Sequence, residues 1–151
     1  MTDEAPDFSE MLNAHRGGWN DAMRLVFKRA TADEVEAELT IDELHRQPYG
    51  IVHGGVYAGI IETLCSTGAA LYAGRNGQTT VGLENHTSFL RATRAGRLRV
   101  RATPLQRGRR AQVWEGSVYD DEERLVATGR VRLICLEGGA ALAGETVGVQ
   151  S

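Results

Sequence analysis

The stretch GIVHGGVYAGIIETLCSTGAALYA, residues 50–73, holds a single acid, Glu62, and apart from His53 is otherwise small, apolar or uncharged. Its length invites a membrane-spanning reading, but a glutamate in mid-span and repeated glycines oppose one. On a helix starting near Gly54 the same residues divide into two stripes. Tyr57, Ile60, Ile61, Leu64, Gly68 and Leu71 form a bulky one, suited to packing against a sheet. Gly55, Ala58, Gly59, Glu62, Cys65, Ser66, Ala69 and Ala73 form another, nearly all small. A small stripe lets a second backbone or a ligand come close, so Glu62 is expected where something approaches the helix.

The rest of the chain reads as sheet around that helix. Upstream, Val35, Ala37, Leu39 and Ile41 alternate with Glu34, Glu36 and Glu38, the period of a strand with one wet face, and MRLVFKRAT before them reads as its partner. Downstream, strands are expected at about 79–93, 96–104, 110–119 and 124–136, joined by turns carrying RAG, QRGRR and DDEE. A strand pair, one long helix and a four-strand meander make an α+β domain over residues 22–136. Residues 1–21 form an N-terminal segment with a short helix near 7–16, and the Gly/Ala-rich tail, 137–151, is expected to be mobile.

At 151 residues and 42% apolar content, one domain with a genuine core is expected. Seventeen basic against twenty acidic residues argue against a general nucleic-acid binder. Charge is unevenly distributed: between Glu84 and Glu115 there is no acid, while Arg91, Arg94, Arg97, Arg99, Arg101, Arg107, Arg109 and Arg110 fall there. That segment attracts anions, although alternating Arg97, Arg99 and Arg101 equally suit the wet face of a strand. Cys65 and Cys135 lack metal-ligand spacing and disulfide context, which with an acidic N-terminus lacking an apolar leader points to a reduced, cytoplasmic protein.

No lysine or arginine lies between Arg46 and Arg75, so no local ion pair accounts for Glu62. Apolar surroundings disfavour a carboxylate's charged form, a condition that makes a general base or nucleophile usable near neutrality. A glutamate reaching solvent, or a distant arginine, is the plain alternative. The HGG at the helix entrance adds weight, because the first N–H groups of a helix lack intrahelical partners and two glycines let a ligand oxygen approach them.

VHGGVYAGIIETLCSTGAALYA followed by ENHTSFLR resembles the hotdog-fold acyl-CoA thioesterases, in particular the Arthrobacter-type 4-hydroxybenzoyl-CoA thioesterase and its phenylacetate-pathway relatives, over roughly residues 22–136. The resemblance implies a long helix wrapped by a curved antiparallel sheet of about six strands. It also implies active sites between two subunits of a dimer, and usually a tetramer of two dimers. Glu62 matches the helix carboxylate used as nucleophile or general base, and Gly54 the oxyanion-hole amide. Gln47 matches a glutamine contacting the thioester, His53 the histidine organising the loop, and Ser66 a threonine near the attacking water. Arg91, Arg109 and Arg110 are the candidates for the phosphates of coenzyme A, which is part of the substrate rather than a cofactor; at 109 and 110 the Arthrobacter-type enzyme has small hydroxyl residues instead. The implied activity is hydrolysis of an aryl- or medium-chain acyl-CoA. Thioester hydration or dehydration needs an Asp and His five apart, a pair not found, and a non-catalytic acyl-CoA-binding regulator would lack the helix carboxylate or carry a DNA-binding segment.

The remaining candidates read as structural. His86 is expected to be packed and hydrogen-bonded in its strand, His15 and His45 to lie at the surface, and no histidine set has metal-ligand spacing. Trp114 and Tyr119 suit core or interface, and Thr87 and Ser88 could line a pocket.

Overall fold

In the computed structural model, which describes residues 4–146, the chain alternates as its hydrophobic period dictates. Helices α1 (Ser9–Ala14) and α2 (Gly17–Ala22) precede strands β1 (Val26–Ala30) and β2 (Val35–Thr40). A 3-10 turn, Glu43–His45, leads to the long helix α3 (Gly54–Gly74), then to β3 (Gln78–Phe89), β4 (Arg97–Arg107), β5 (Ala111–Tyr119) and β6 (Leu125–Glu137). The six strands form one antiparallel sheet in the order β1-β2-β4-β5-β6-β3, so α3 carries the chain from β2 across to the far edge. Gly77, at φ 69°, takes the left-handed conformation that turns the chain from α3 into β3.

The core lies between α3 and the sheet. Tyr57, Ile60, Ile61, Leu64 and Gly68 of the bulky stripe are buried, against Leu98 and Val100 of β4, Trp114 and Val118 of β5, and Val131 and Leu133 of β6. Each such aliphatic side chain contributes about 1.5–3 kcal/mol by leaving water. Trp114 fixes how close helix and sheet come: a Cβ at Gly68 would lie 2.4 Å from its ring. Its Nε1–H donates to Gln112 Oε1 at 2.8 Å, and Gln112 Nε2 donates to the Ala69 carbonyl at 3.1 Å, tying β5 to α3 through the core. On the wet face, Arg97 and Arg101 meet Glu38 and Glu36 of β2 at 3.6 Å, and Arg99 meets Glu123. The acid-free segment is thus neutralised in part by its neighbour strand, each exposed pair being worth about 0–1 kcal/mol.

The two sheet edges are treated differently. The N-terminal segment covers β1: Asn13 exchanges hydrogen bonds with the Phe27 backbone at 2.8 and 2.9 Å, and Phe8 N–H donates to the Ala30 carbonyl at 2.8 Å. Along β3 nothing among the described residues covers the edge, and Leu83 and Phe89 are more than half exposed.

Two expectations are corrected. His45 is fully buried rather than at the surface, because the 3-10 turn caps itself with it: Nδ1 accepts from Asp42 N–H at 3.0 Å and Nε2 bonds the Met23 carbonyl at 2.9 Å. His86 is exposed, not packed. The register of β3 on β6 slips at Leu83, a bulge that flips the side-chain alternation, so Asn85 and Thr87 face α3 where an unbroken strand would have turned His86 and Ser88 inward. In the tail, much of which is expected to be mobile, β7 (Ala141–Leu142) and β8 (Glu145–Thr146) form a small hairpin, and residues 147–151 lie outside those described.

Candidate active site

Glu62 leaves α3 on the side that the sheet does not fully bury and is half-buried. Its Oε1 accepts from Ser66 Oγ, one turn on, at 3.1 Å, and its Oε2 accepts from Asn85 Nδ2 of β3 at 3.0 Å. No guanidinium or ammonium pairs with it among the described residues. Gly82 supplies the space: a Cβ there would stand 2.5 Å from Oε1. The small stripe divides in two. Cys65, Ala69 and Ala73 turn into the core, where burial first and then the nearby Glu62 and Glu115 push the Cys65 thiol far up and leave it inert. Gly59 lies under the Trp19 ring, while Gly55, Ala58, Glu62 and Ser66 keep exposure.

At the helix N-terminus, His53 is the N-cap, its Nδ1 accepting from Gly55 N–H at 2.8 Å. This occupies one of the two glycine amides expected to face a ligand. Gly54 N–H keeps no partner among the described residues, and Gly54 must be glycine for a packing reason as well, since a Cβ would lie 2.5 Å from Phe89. Gly54 opens onto a cleft of about 310 Å³ lined also by Gln47, Tyr57, Phe89, Leu90 and Arg91. Gln47 is held there by its loop, its Oε1 accepting from Tyr49 N–H at 2.6 Å. Two braces run beside that loop, from Arg94 to the Tyr49 carbonyl and from Arg46 to the Arg94 carbonyl, each at 2.9 Å.

The structure therefore brings Gln47, His53, Gly54 and Arg91 together, and Glu62 together with Ser66 and Asn85, as two separate groups. Eight residues of helix part Gly54 from Glu62, about 12 Å at helical rise. One carbonyl cannot sit within about 3 Å of both in a single chain. Arg109 and Arg110 stand apart from Arg91, in the β4–β5 turn beyond the other end of α3. There Arg109 borders a cavity of about 420 Å³ with Tyr72, Asn76, Gln78, Arg107 and Glu137. Arg91, Arg109 and Arg110 are exposed and form no ion pair among the described residues, whereas Arg107 is held by Asp33 at 2.6 Å.

Sequence reasoning passed over Asn85. It is one of two polar residues that β3 sends to Glu62's side, and only the bulge at Leu83 puts it there, a feature the hydrophobic period does not report. Trp114 falls as read, in the core, and Thr87 donates to Asn85 Oδ1 at 2.7 Å. The described residues include no His/Cys/Asp/Glu group able to hold a metal ion, and no helix long and apolar enough to cross a membrane.

Comparison with known proteins bears on this arrangement. The Thioesterase superfamily pattern matches residues 49–127, which include α3, Glu62 and the cleft at Gly54. The chain is 37% identical over 135 residues to Rv1847 of Mycobacterium tuberculosis H37Rv, covering 88% of this chain and 96% of that protein. It is 37% identical over 123 residues to the proofreading thioesterase EntH of Cronobacter sakazakii, covering 81% and 89%. The solved structure of Rv1847/MT1895 superposes with a TM-score of 0.78 at 38% identity, covering 79% of this chain and 96% of that one. The family match, these relatives and a long helix lodged against a six-stranded antiparallel sheet together place the chain in the hotdog-fold thioesterase superfamily.

Proposed function

We propose that this protein hydrolyses an aryl- or medium-chain acyl-CoA to the free acid and coenzyme A, as a member of the Arthrobacter-type and phenylacetate-pathway branch of the superfamily. The supporting observation is the separation just described. Gly54 N–H opens on a cleft, Glu62 is held two turns away by Ser66 and Asn85, and the β3 edge beside both is bare. A second copy related by a two-fold at that edge brings Gly54 of one protomer toward Glu62 of its partner, completing two identical sites. The working unit is then a homodimer, with two such dimers forming a tetramer.

In each site the thioester carbonyl lies against Gly54 N–H, with Gln47 beside it, and His53 holds the helix entrance by engaging the neighbouring amide. A good oxyanion donor is worth about 3–4 kcal/mol in the transition state. Glu62 of the other protomer either attacks the carbonyl carbon, expelling coenzyme A thiolate and leaving a mixed anhydride for water to cleave, or takes a proton from a water beside Ser66 that attacks directly. Either route requires Glu62 ionised. The unpaired Arg91, near the carbonyl, and Arg109 and Arg110, further out, suit the pyrophosphate and 3′-phosphate.

The test is a hydrolysis screen across aryl-, short-, medium- and long-chain acyl-CoAs with the wild type and Glu62→Gln. The wild type is expected to prefer aryl or medium-chain substrates, and Glu62→Gln to lose on the order of a hundredfold or more in kcat while still binding them. Near wild-type turnover by Glu62→Gln would make the glutamate structural.

A further inference from the structure

We infer that Asn85 is the positioning residue for the Glu62 carboxylate, set in place by a β-bulge and braced by Thr87; this rests on the role of Glu62 proposed above. Asn85 Nδ2 donates to Glu62 Oε2 and to the Ala58 carbonyl, each at 3.0 Å, one turn of α3 apart. Both partners are acceptors, so the amide must present its NH2 to the helix. A flipped amide would set oxygen against oxygen at the helix; in the orientation this leaves, Thr87 Oγ1 donates to Asn85 Oδ1 at 2.7 Å and braces the amide from the other side. The carboxylate is thus held at two points: Asn85 engages Oε2 and Ser66 engages Oε1, while the missing side chain at Gly82 leaves the room that Oε1 occupies. One donor per oxygen leaves lone pairs on each for an attacking carbon or a water's proton. The anchor on Ala58 matters as much as the bond to Glu62: it ties the amide to the helix that carries the carboxylate, so the two move together.

The bulge makes this possible. Gly82 pairs with Leu133 and Glu84 with Arg132, leaving Leu83 as the extra residue. Without it, Glu84 would take the inward position next to Gly82 and set a second carboxylate beside Glu62. With it, Glu84 faces away to Arg132 at 3.2 Å and Asn85 takes the inward place. The strand exchanges a like charge for a donor at the one point where α3 carries an acid.

The experiment compares Asn85→Ala, Asn85→Asp, Thr87→Ala and Thr87→Ser with the wild type, on the best substrate of the screen, after matching melting temperatures. Asn85→Ala is expected to lower kcat by about tenfold or more with KM held within about threefold, because an interaction that orients the carboxylate acts on turnover rather than on binding. Asn85→Asp has the same shape but offers an acceptor, so one of two facing carboxyls retains a proton and kcat falls further than in the alanine variant. Thr87→Ala gives a smaller loss, which Thr87→Ser restores. Asn85→Ala with kcat within about twofold of wild type, a loss confined to KM, or Asn85→Asp no worse than alanine overturns the inference. Glu62→Gln separates this from the parent reading: if it is inactive while Asn85→Ala is normal, only the positioning role falls, and if it is fully active, both fall.

Discussion

Glu62 was legible because a carboxylate on an otherwise uncharged helix needs a reason, and its neighbours one turn away are small enough to leave it open. Gly54 and His53 were legible for a similar reason, since a histidine followed by two glycines at a helix start concentrates free amides. What the residues alone did not disclose is that His53 Nδ1 occupies the Gly55 amide, or that Asn85 supplies the donor to Glu62; both depend on where the backbone turns. A residue of another kind governs acid stability. Asp120 closes the β5–β6 turn, accepting from the N–H groups of Glu122 and Arg124 at 2.9 and 3.0 Å and from Arg124 Nε at 2.8 Å. Desolvation pushes its carboxyl up, but those backbone bonds and the Arg124 guanidinium outweigh it and hold the group below its ordinary value of 3.8. A carboxyl depressed in the folded state adds stability above the unfolded value, lost as pH falls through the folded one. Asp120→Asn is therefore expected to melt below wild type at pH 7, with the two converging as pH falls below the ordinary 3.8 and the wild type protonates. A gap that persists unchanged in acid would place the cost elsewhere.

At the scale of elements, most of the architecture was readable: the strands of β2 and β4 alternate cleanly because one face is core and the other carries paired charges, and α3 declares itself by its bulky stripe. The misreadings have separate physical origins. A strand's faces alternate only while it keeps its register, and β3 loses it at Leu83, which leaves His86 exposed and hid Asn85. The 3-10 turn that buries His45 escaped notice because a three-residue element has no periodicity. Helix–sheet spacing gives a prediction at this scale. Trp114 lies flat on Gly68, so Gly68→Ala must displace a fully buried indole and its link through Gln112 to Ala69. The gain in helix propensity is about 1 kcal/mol, against about 1–3 kcal/mol for overpacking a core. A lower urea midpoint with an unchanged slope is expected; a higher midpoint would mean the ring moves aside freely.

For the molecule as a whole, the contrast between its edges is decisive. The N-terminal segment blunts β1, whereas β3 presents twelve residues without cover among those described, beside both halves of the candidate site. In the assembly proposed across β3 the far wall of each site would come from another copy, which the sequence of one chain does not describe. Arg109 and Arg110, near the far end of α3 some twelve residues past Glu62, lie about 18 Å along the helix from it, a distance suited to the nucleotide end of coenzyme A rather than the acyl end. Replacing both by alanine should raise KM for acyl-CoA far more than it lowers kcat, with little effect on a short pantetheine thioester; equal losses on the two substrates would assign them another task. The central claim is that Gly54 and Glu62 act on one carbonyl from different protomers. It is tested most directly by mixing two impaired chains, Glu62→Gln and Gly54→Ala, unfolding and refolding them together at equal amounts, and measuring acyl-CoA hydrolysis. Random pairing makes half the dimers mixed, and each mixed dimer holds one site with an intact Gly54 and an intact Glu62, so recovery to about a quarter of wild-type activity is expected. A mixture no more active than its two parents would show that no functional site is shared between protomers.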